Sequence, residues 1–199
     1  MFRHGCAIAG LALMTTACGS PTPSQNVGET DVTMPAEPTA MDNAMAMDNA
    51  MAGGETATAA LRKADGTPAG SATATTTADG LSVTVAVTGM TPGDHGVHVH
   101  MTGKCDAPDF KSAGGHWNPS NMKHGLDNPA GSHAGDMPNL KVAADGSGSL
   151  TFTLKSGTMA QLMDADGSAF VVHAGKDDQK TDPSGDSGDR VACGVFKAA

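Results

Sequence analysis

Beyond residue 55 apolar and polar positions alternate with a period of two. In "SATATTTADGLSVTVAVTGM" the alternation breaks only at Asp79-Gly80. Successive side chains of an extended chain point to opposite faces, so this stretch predicts two half-buried strands joined by a two-residue turn. "NLKVAADGSGSLTFTL" repeats the device, with turn residues Asp145 to Gly148. Further strands are expected at about 56–63, 95–101, 168–174 and 190–197, giving about eight in all. Two long turn-rich segments, 102–137 and 174–189, interrupt the series. Neither half of such a sheet can bury its apolar face alone. The expected fold class is therefore all-β: an eight-stranded antiparallel Greek-key barrel or flattened sandwich, whose two long loops are functional.

The first 54 residues lack this alternation. "MFRHGCAIAGLALMTTACGS" joins Arg3 and His4 to an apolar run, Ala7 to Ala17, too short to span a bilayer; residues 1–17 read as an export signal. The small residues of "TTAC" before Cys18 resemble the lipobox of bacterial lipoproteins, which implies a lipid on Cys18 and anchorage to the outer membrane from the periplasm. Cleavage after a small residue, releasing a soluble protein, is the alternative. Residues 18–54 are rich in Pro, Ala, Thr and Met and contain "MDNAMA" twice, at 41–46 and 47–52. They offer too little large apolar surface to offset ordering entropy and read as a flexible tether. Met34, Met41, Met45, Met47 and Met51 are soft donors suited to cuprous ion, although a solvated spacer fits the composition better. The expected organisation is thus signal (1–17), lipidated tether (18–54) and barrel (55–199).

Net charge narrows the partners. At −9 the chain lacks the basic surface that phosphate binding needs, so nucleic acid is excluded. Of four cysteines, Cys6 leaves with the signal and Cys18 would carry lipid, which leaves Cys105 and Cys193. An even pair in an exported protein is most simply a disulfide, worth about 4 to 5 kcal/mol for so long a loop in the chain-entropy model.

Histidine is scarce, and its placement is not random. In "GVHVH" His98 and His100 alternate with Val97 and Val99, so both imidazoles leave the strand on one face while the valines fill the barrel. "GGHWNP" adds His116, "MKHG" His124, "SHAGD" His133 and Asp136, and "FVVHAGKDD" His173, all on the long loops or their edges. Neutral imidazole is the commonest ligand of copper and zinc, and a carboxylate completes a tetrahedral zinc site. The pattern points to a metal centre.

"GVHVH", "GGHWNP", "KHG", "SHAGDMPNL", "VVHAGKDD" and "RVACGVF", in that order over about residues 56–198, resemble the copper-zinc superoxide dismutases, particularly the bacterial envelope form. The resemblance implies copper held by His98, His100, His116 and His173, and zinc held by His116, His124, His133 and Asp136, with His116 shared as a bridging imidazolate. It implies dismutation of superoxide to oxygen and hydrogen peroxide by alternate reduction and reoxidation of copper, with proton transfer at His116. Asp177 matches a carboxylate linking a copper-bound to a zinc-bound imidazole, Arg190 an arginine that attracts superoxide, and Cys105 and Cys193 the family disulfide. His95 matches a structural histidine beneath the site. Pairing with a second copy in a homodimer is left open. Met101 stands where the family commonly carries an acidic residue, and strand alternation would send it away from copper.

Two other readings compete with this one. "SGDSGDR" resembles the nucleophile segment of chymotrypsin-like proteases, but Asp189, two positions after Ser187, puts a negative charge where that segment normally carries glycine, and no suitably set histidine exists, so proteolysis is rejected. A non-enzymatic envelope protein that buffers or delivers copper would share the ligands, but has no need of zinc, of a bridging imidazolate or of Arg190.

Overall fold

The computed structural model describes residues 54–199; the expectations for a signal, a lipid on Cys18 and a tether lie outside the described residues. The described chain forms ten strands: β1 (Thr56–Arg62), β2 (Pro68–Thr77), β3 (Gly80–Val87), β4 (Gly93–His95), β5 (Val97–His100), β6 (Leu140–Val142), β7 (Gly148–Leu154), β8 (Ala169–His173), β9 (Arg190–Val195) and β10 (Lys197–Ala198). Both hairpins read from the alternation are present, as β2–β3 and β6–β7. A four-residue helix, α1 (Met159–Leu162), was not expected; it is closed by a capping box between Thr158 and Gln161.

All pairings are antiparallel, in the order β4-β6-β7-β3-β2-β1-β9-β8-β5, with β10 added to β1. The two ends of this order, β4 and β5, are separated along the chain only by Gly96, so the sheet must curl into a nearly closed barrel. The single strand expected at 95–101 is therefore two. The division falls at Gly96 because the loop from β8 to β9 presses against it: a Cβ there would lie 2.8 Å from the Ser187 Cβ and 3.2 Å from the Asp177 Cβ. The Gly96 N–H donates to Gly175 O and the His173 N–H to Gly96 O, so this break brings that loop to the histidine strand.

Inside the barrel the alternation acts as expected. Ala57, Ala59 and Leu61 from β1, Leu81, Val83, Val85 and Val87 from β3, Val97 and Val99 from β5, and Phe170 and Val172 from β8 share one buried core. A second, smaller cluster lies on the other face of β8 and β9, where Phe110 and Ala113 cover Ala169, Val171 and Cys193. It sits under the first long loop, which the Cys105–Cys193 disulfide fastens to β9. His98 and His100 face away from the core but are fully buried, since the two loops close over them. Imidazoles set on the outside of a barrel thus become a dry interior.

Candidate metal centre

β5 is the last strand of the sheet, and its free edge is completed by two pieces of the first loop. His100 bridges to His116 and His98 to Asp136; the Trp117 N–H donates to Val99 O (2.8 Å) and the Val99 N–H to Gly135 O (3.0 Å). Backbone pairing therefore sets His116 and Asp136 beside the two strand histidines. His173 ends β8, the neighbour of β5 on its other edge.

Two donor sets result. In the first, one nitrogen each of His98, His100, His116 and His173 falls within 4.8 Å of the others. Three of these rings have their second nitrogen engaged: His98 Nε2–H donates to Asp177 Oδ2 (2.6 Å), His100 Nδ1–H to Gly114 O (3.0 Å) and His173 Nδ1–H to Gly188 O (3.1 Å). Each bond fixes the tautomer and aims one lone pair inward. His173 Nε2 and His100 Nε2 stand 3.4 Å apart, and His98 Nδ1 and His116 Nε2 are buried without any partner. Buried polar atoms without partners are rare in native proteins, so this convergence marks a place for a cation. Burial pushes the imidazolium forms down, His98 to about 3 and His173 to about 4, and His100 also falls well below its ordinary range, so these rings offer lone pairs at neutral pH.

The second set gathers around Asp136. Its Oδ1 lies 2.9 Å from His116 Nδ1, 3.1 Å from His124 Nδ1 and 3.2 Å from His133 Nδ1, while Oδ2 accepts the backbone N–H groups of Gly125 and His133. Burial alone would raise the Asp136 carboxyl; the three imidazoles overcome that and hold it far below the ordinary range. His98 also lies within reach of this set through its stacking on His116, but its Nε2 is taken by Asp177. Its remaining nitrogen belongs with the first set. His116 alone offers one nitrogen to each set, Nδ1 to the carboxylate side and the unpartnered Nε2 to the all-imidazole side.

Asp177 joins the sets, accepting from His98 at one oxygen and from His124 Nε2 (3.1 Å) at the other. Two residues outside the expectations from sequence hold it there, although Asn139 lies within "SHAGDMPNL". Asn139 clamps the Asp177 main chain by two bonds, from Nδ2 to its carbonyl and from its N–H to Oδ1, both 2.8 Å. The Gln179 N–H donates to Asp177 Oδ1, and Gln179 Nε2 donates to Met137 O. Gly125 allows the close approach this needs, since a Cβ there would lie 2.0 Å from Gln179 O.

A cavity of about 600 Å³ opens to solvent above the first set, lined by His100, His116, His173 and Arg190 among others. Arg190 is half-buried, its guanidinium donating to Phe110 O (2.8 Å) and Gly114 O (2.7 Å). Both acceptors are neutral carbonyls, so the positive charge stays available to the cavity. His95 lies beneath the site, its ring nitrogens on His173 O and Thr91 O. Met101 is half exposed on the cavity wall, contrary to the expectation from alternation, because β5 ends at His100 and the chain turns there.

Comparison with known proteins agrees with this geometry. The family model "Copper/zinc superoxide dismutase (SODC)" matches residues 68–196. The chain is 45% identical over 148 residues to "Superoxide dismutase [Cu-Zn]" of Caulobacter vibrioides, covering 71% of this chain and 85% of that one. Among solved structures it resembles the Cu/Zn superoxide dismutase from Brucella abortus at 32% identity and a TM-score of 0.61, covering 72% of this chain and 100% of that one. It also resembles a SOD-like protein from Bacillus subtilis at 38% identity and a TM-score of 0.66, covering 69% and 96%.

Proposed function

The chain belongs to the copper/zinc superoxide dismutase family, and on that premise we propose how its residues divide the work of converting superoxide to oxygen and hydrogen peroxide. The donor sets fit the two metals. An all-imidazole set with lone pairs held free suits copper, and the Asp136 carboxylate with the His116, His124 and His133 rings around it suits zinc. His98, His100, His116 and His173 would hold copper; His116, His124, His133 and Asp136 would hold zinc. When bound, copper supplies one-electron chemistry and zinc the positive charge that stabilises a deprotonated His116 ring.

The observation that carries the assignment is His116, buried between the sets with Nε2 unpartnered. Its Nε2 is the atom that holds a proton and returns it to the reduced substrate. Arg190 attracts and orients the superoxide anion at the base of the cavity. Asp177 fixes the rings of His98 and His124 together, and the loops exclude bulk water from both sets. The Cys105–Cys193 disulfide holds the loop that supplies both carbonyl anchors of Arg190. It also suits an exported protein in an oxidising compartment. Lipid attachment at Cys18, and with it residence at the outer membrane facing the periplasm, is the finer part of the proposal, supported by the "TTAC" segment. A Cys18→Ala variant recovered in the soluble envelope fraction, with wild type in the membrane fraction, would bear it out; identical partitioning would not.

The test of the assignment is protein loaded with both metals and assayed for superoxide consumption, with Arg190→Ile beside it. The variant is expected to keep both metals and lose about tenfold or more in rate, together with much of its salt dependence. A metal-full wild type no faster than aqueous copper would favour copper buffering instead. That alternative gives no purpose to the Asp136 set.

A further inference from the structure

The cavity above the copper set contains groups that the dismutase reaction does not need. Met101 is 53% exposed, the most exposed large apolar side chain among the described residues. It stands in the same wall as His100, His116 and His173, and so do Asp164 and Asp166. Among the described residues neither carboxylate has an ion-pair partner, the lysine pairs being Lys111–Asp109 and Lys123–Asp182. Two unneutralised carboxylates beside a channel for an anion oppose the attraction of Arg190.

The same groups suit the opposite traveller. A cation must reach the four imidazoles before any superoxide can be consumed, and the cavity is where a lining imidazole, His116, keeps a buried and unpartnered nitrogen. Met101 follows His100 directly in the chain, and its side chain lies over the glycine pair: a Cβ at Gly114 would meet its Cγ at 2.9 Å and one at Gly115 its Sδ at 3.9 Å. Gly114 O in turn receives the His100 and Arg190 bonds. The turn that carries the two acids is tied to the same corner, since the Gly103 N–H donates to Asp166 O (2.8 Å) and Asp164 Oδ1 accepts from the Asp166 N–H. A thioether is a soft, uncharged donor that favours cuprous over cupric ion and zinc, whereas carboxylates attract any cation. The other exposed methionine among the described residues, Met122, is not on this wall, and Met90, Met137 and Met159 are buried.

We infer that Met101, Asp164 and Asp166 form a docking site for cuprous ion at the cavity rim, from which the ion passes to His100 and the rest of the copper set. The inference rests on the assignment of copper to His98, His100, His116 and His173. The acids draw the cation in and the thioether selects its oxidation state; no electron is exchanged in the step.

Uptake kinetics test it without recourse to activity. Zinc-loaded, copper-free full-length protein is mixed anaerobically with the coloured bicinchoninate complex of Cu(I), or aerobically with Cu(II)-glycine, and transfer is followed by absorbance. Residues 1–53 are the same in every sample, so their methionines contribute equally. Met101→Leu, and Met101→Gln as a second variant of similar length, should slow Cu(I) transfer about fivefold or more and leave Cu(II) transfer within about a factor of two, as loss of one soft donor requires. Asp164→Asn with Asp166→Asn should slow both ions, more at low salt. Cu(I) transfer at the wild-type rate in both Met101 variants overturns the inference, and so does equal slowing of both oxidation states, which marks a disturbed rim. Wild-type protein that binds no copper at all would instead overturn the ligand assignment beneath it.

Discussion

The two donor sets are built largely from the same residue type a few ångströms apart, and yet one is kept neutral while the other holds charge. Around His98, His100 and His173 the second nitrogens lean on one carboxylate and two backbone carbonyls, burial dominates, and the rings are kept neutral. Around Asp136 a buried carboxylate faces three imidazoles, and His124 has a carboxylate on each nitrogen. Burial lowers His124, but Asp136 and Asp177 together outweigh it and raise the ring to about 9. A histidine's chemistry is thus set by what its other nitrogen touches. On the proposed assignment, the neutral set would hold the ion that changes charge by an electron and the charged set the ion whose charge stays fixed beside it.

The sharpest way to break this contrast is Asp136→Asn. It removes the charge at the centre of the second set and places an amide where Oδ2 now accepts two backbone N–H groups. Zinc affinity should fall about 1000-fold while copper affinity changes by less than about tenfold, read by competition with coloured chelators. Equal losses would mean that the sets do not act separately. Asp177→Asn probes the joint between them. It touches both His98 and His124, so both affinities should weaken, by about 10- to 100-fold. A change confined to one metal would remove its bridging role.

The contrast also divides what the sequence made legible. Period-two alternation and the Asp-Gly turn signals revealed the hairpins, and the spacing of His98 and His100 placed both rings on one face of a strand. Local pattern could do this because each step involves neighbours. The break at Gly96 was hidden, since Gly-Val-His-Val-His alternates smoothly across it and its cause, Asp177 and Ser187, lies 81 and 91 residues further on. Asn139 and Gln179 were hidden for the same reason: they act on backbone atoms of residues 38 and 42 positions away, and a main-chain acceptor leaves no mark in composition. Met101 was misplaced because alternation was extended one residue past the end of β5. The division of the histidines into two sets came from the family resemblance; scarcity of histidine pointed only to a metal.

The smallest effect, and the one that isolates the charge contrast from the metals, is the pH dependence of metal-free stability. His98 and His173 have native pKa values depressed to about 3 and about 4. Below 6.5 the unfolded chain takes protons that these rings refuse, so stability falls as pH drops from 6.5 toward about 4. His124 behaves in reverse. Its raised value of about 9 means that the native ring keeps a proton the unfolded chain has released, so its contribution is complete below 6.5 and is lost as pH rises through about 9. Metal-free protein should therefore show a Tm maximum near pH 6.5 with a decline on each side. Adding zinc alone requires a lone pair on His124, which removes the proton and with it the alkaline decline, while proton competition at the ligands steepens the acid side. Thermal unfolding between about pH 4 and about pH 10, with and without zinc, reads both arms. An alkaline decline that survives zinc loading would mean that His124 stays protonated and is no ligand.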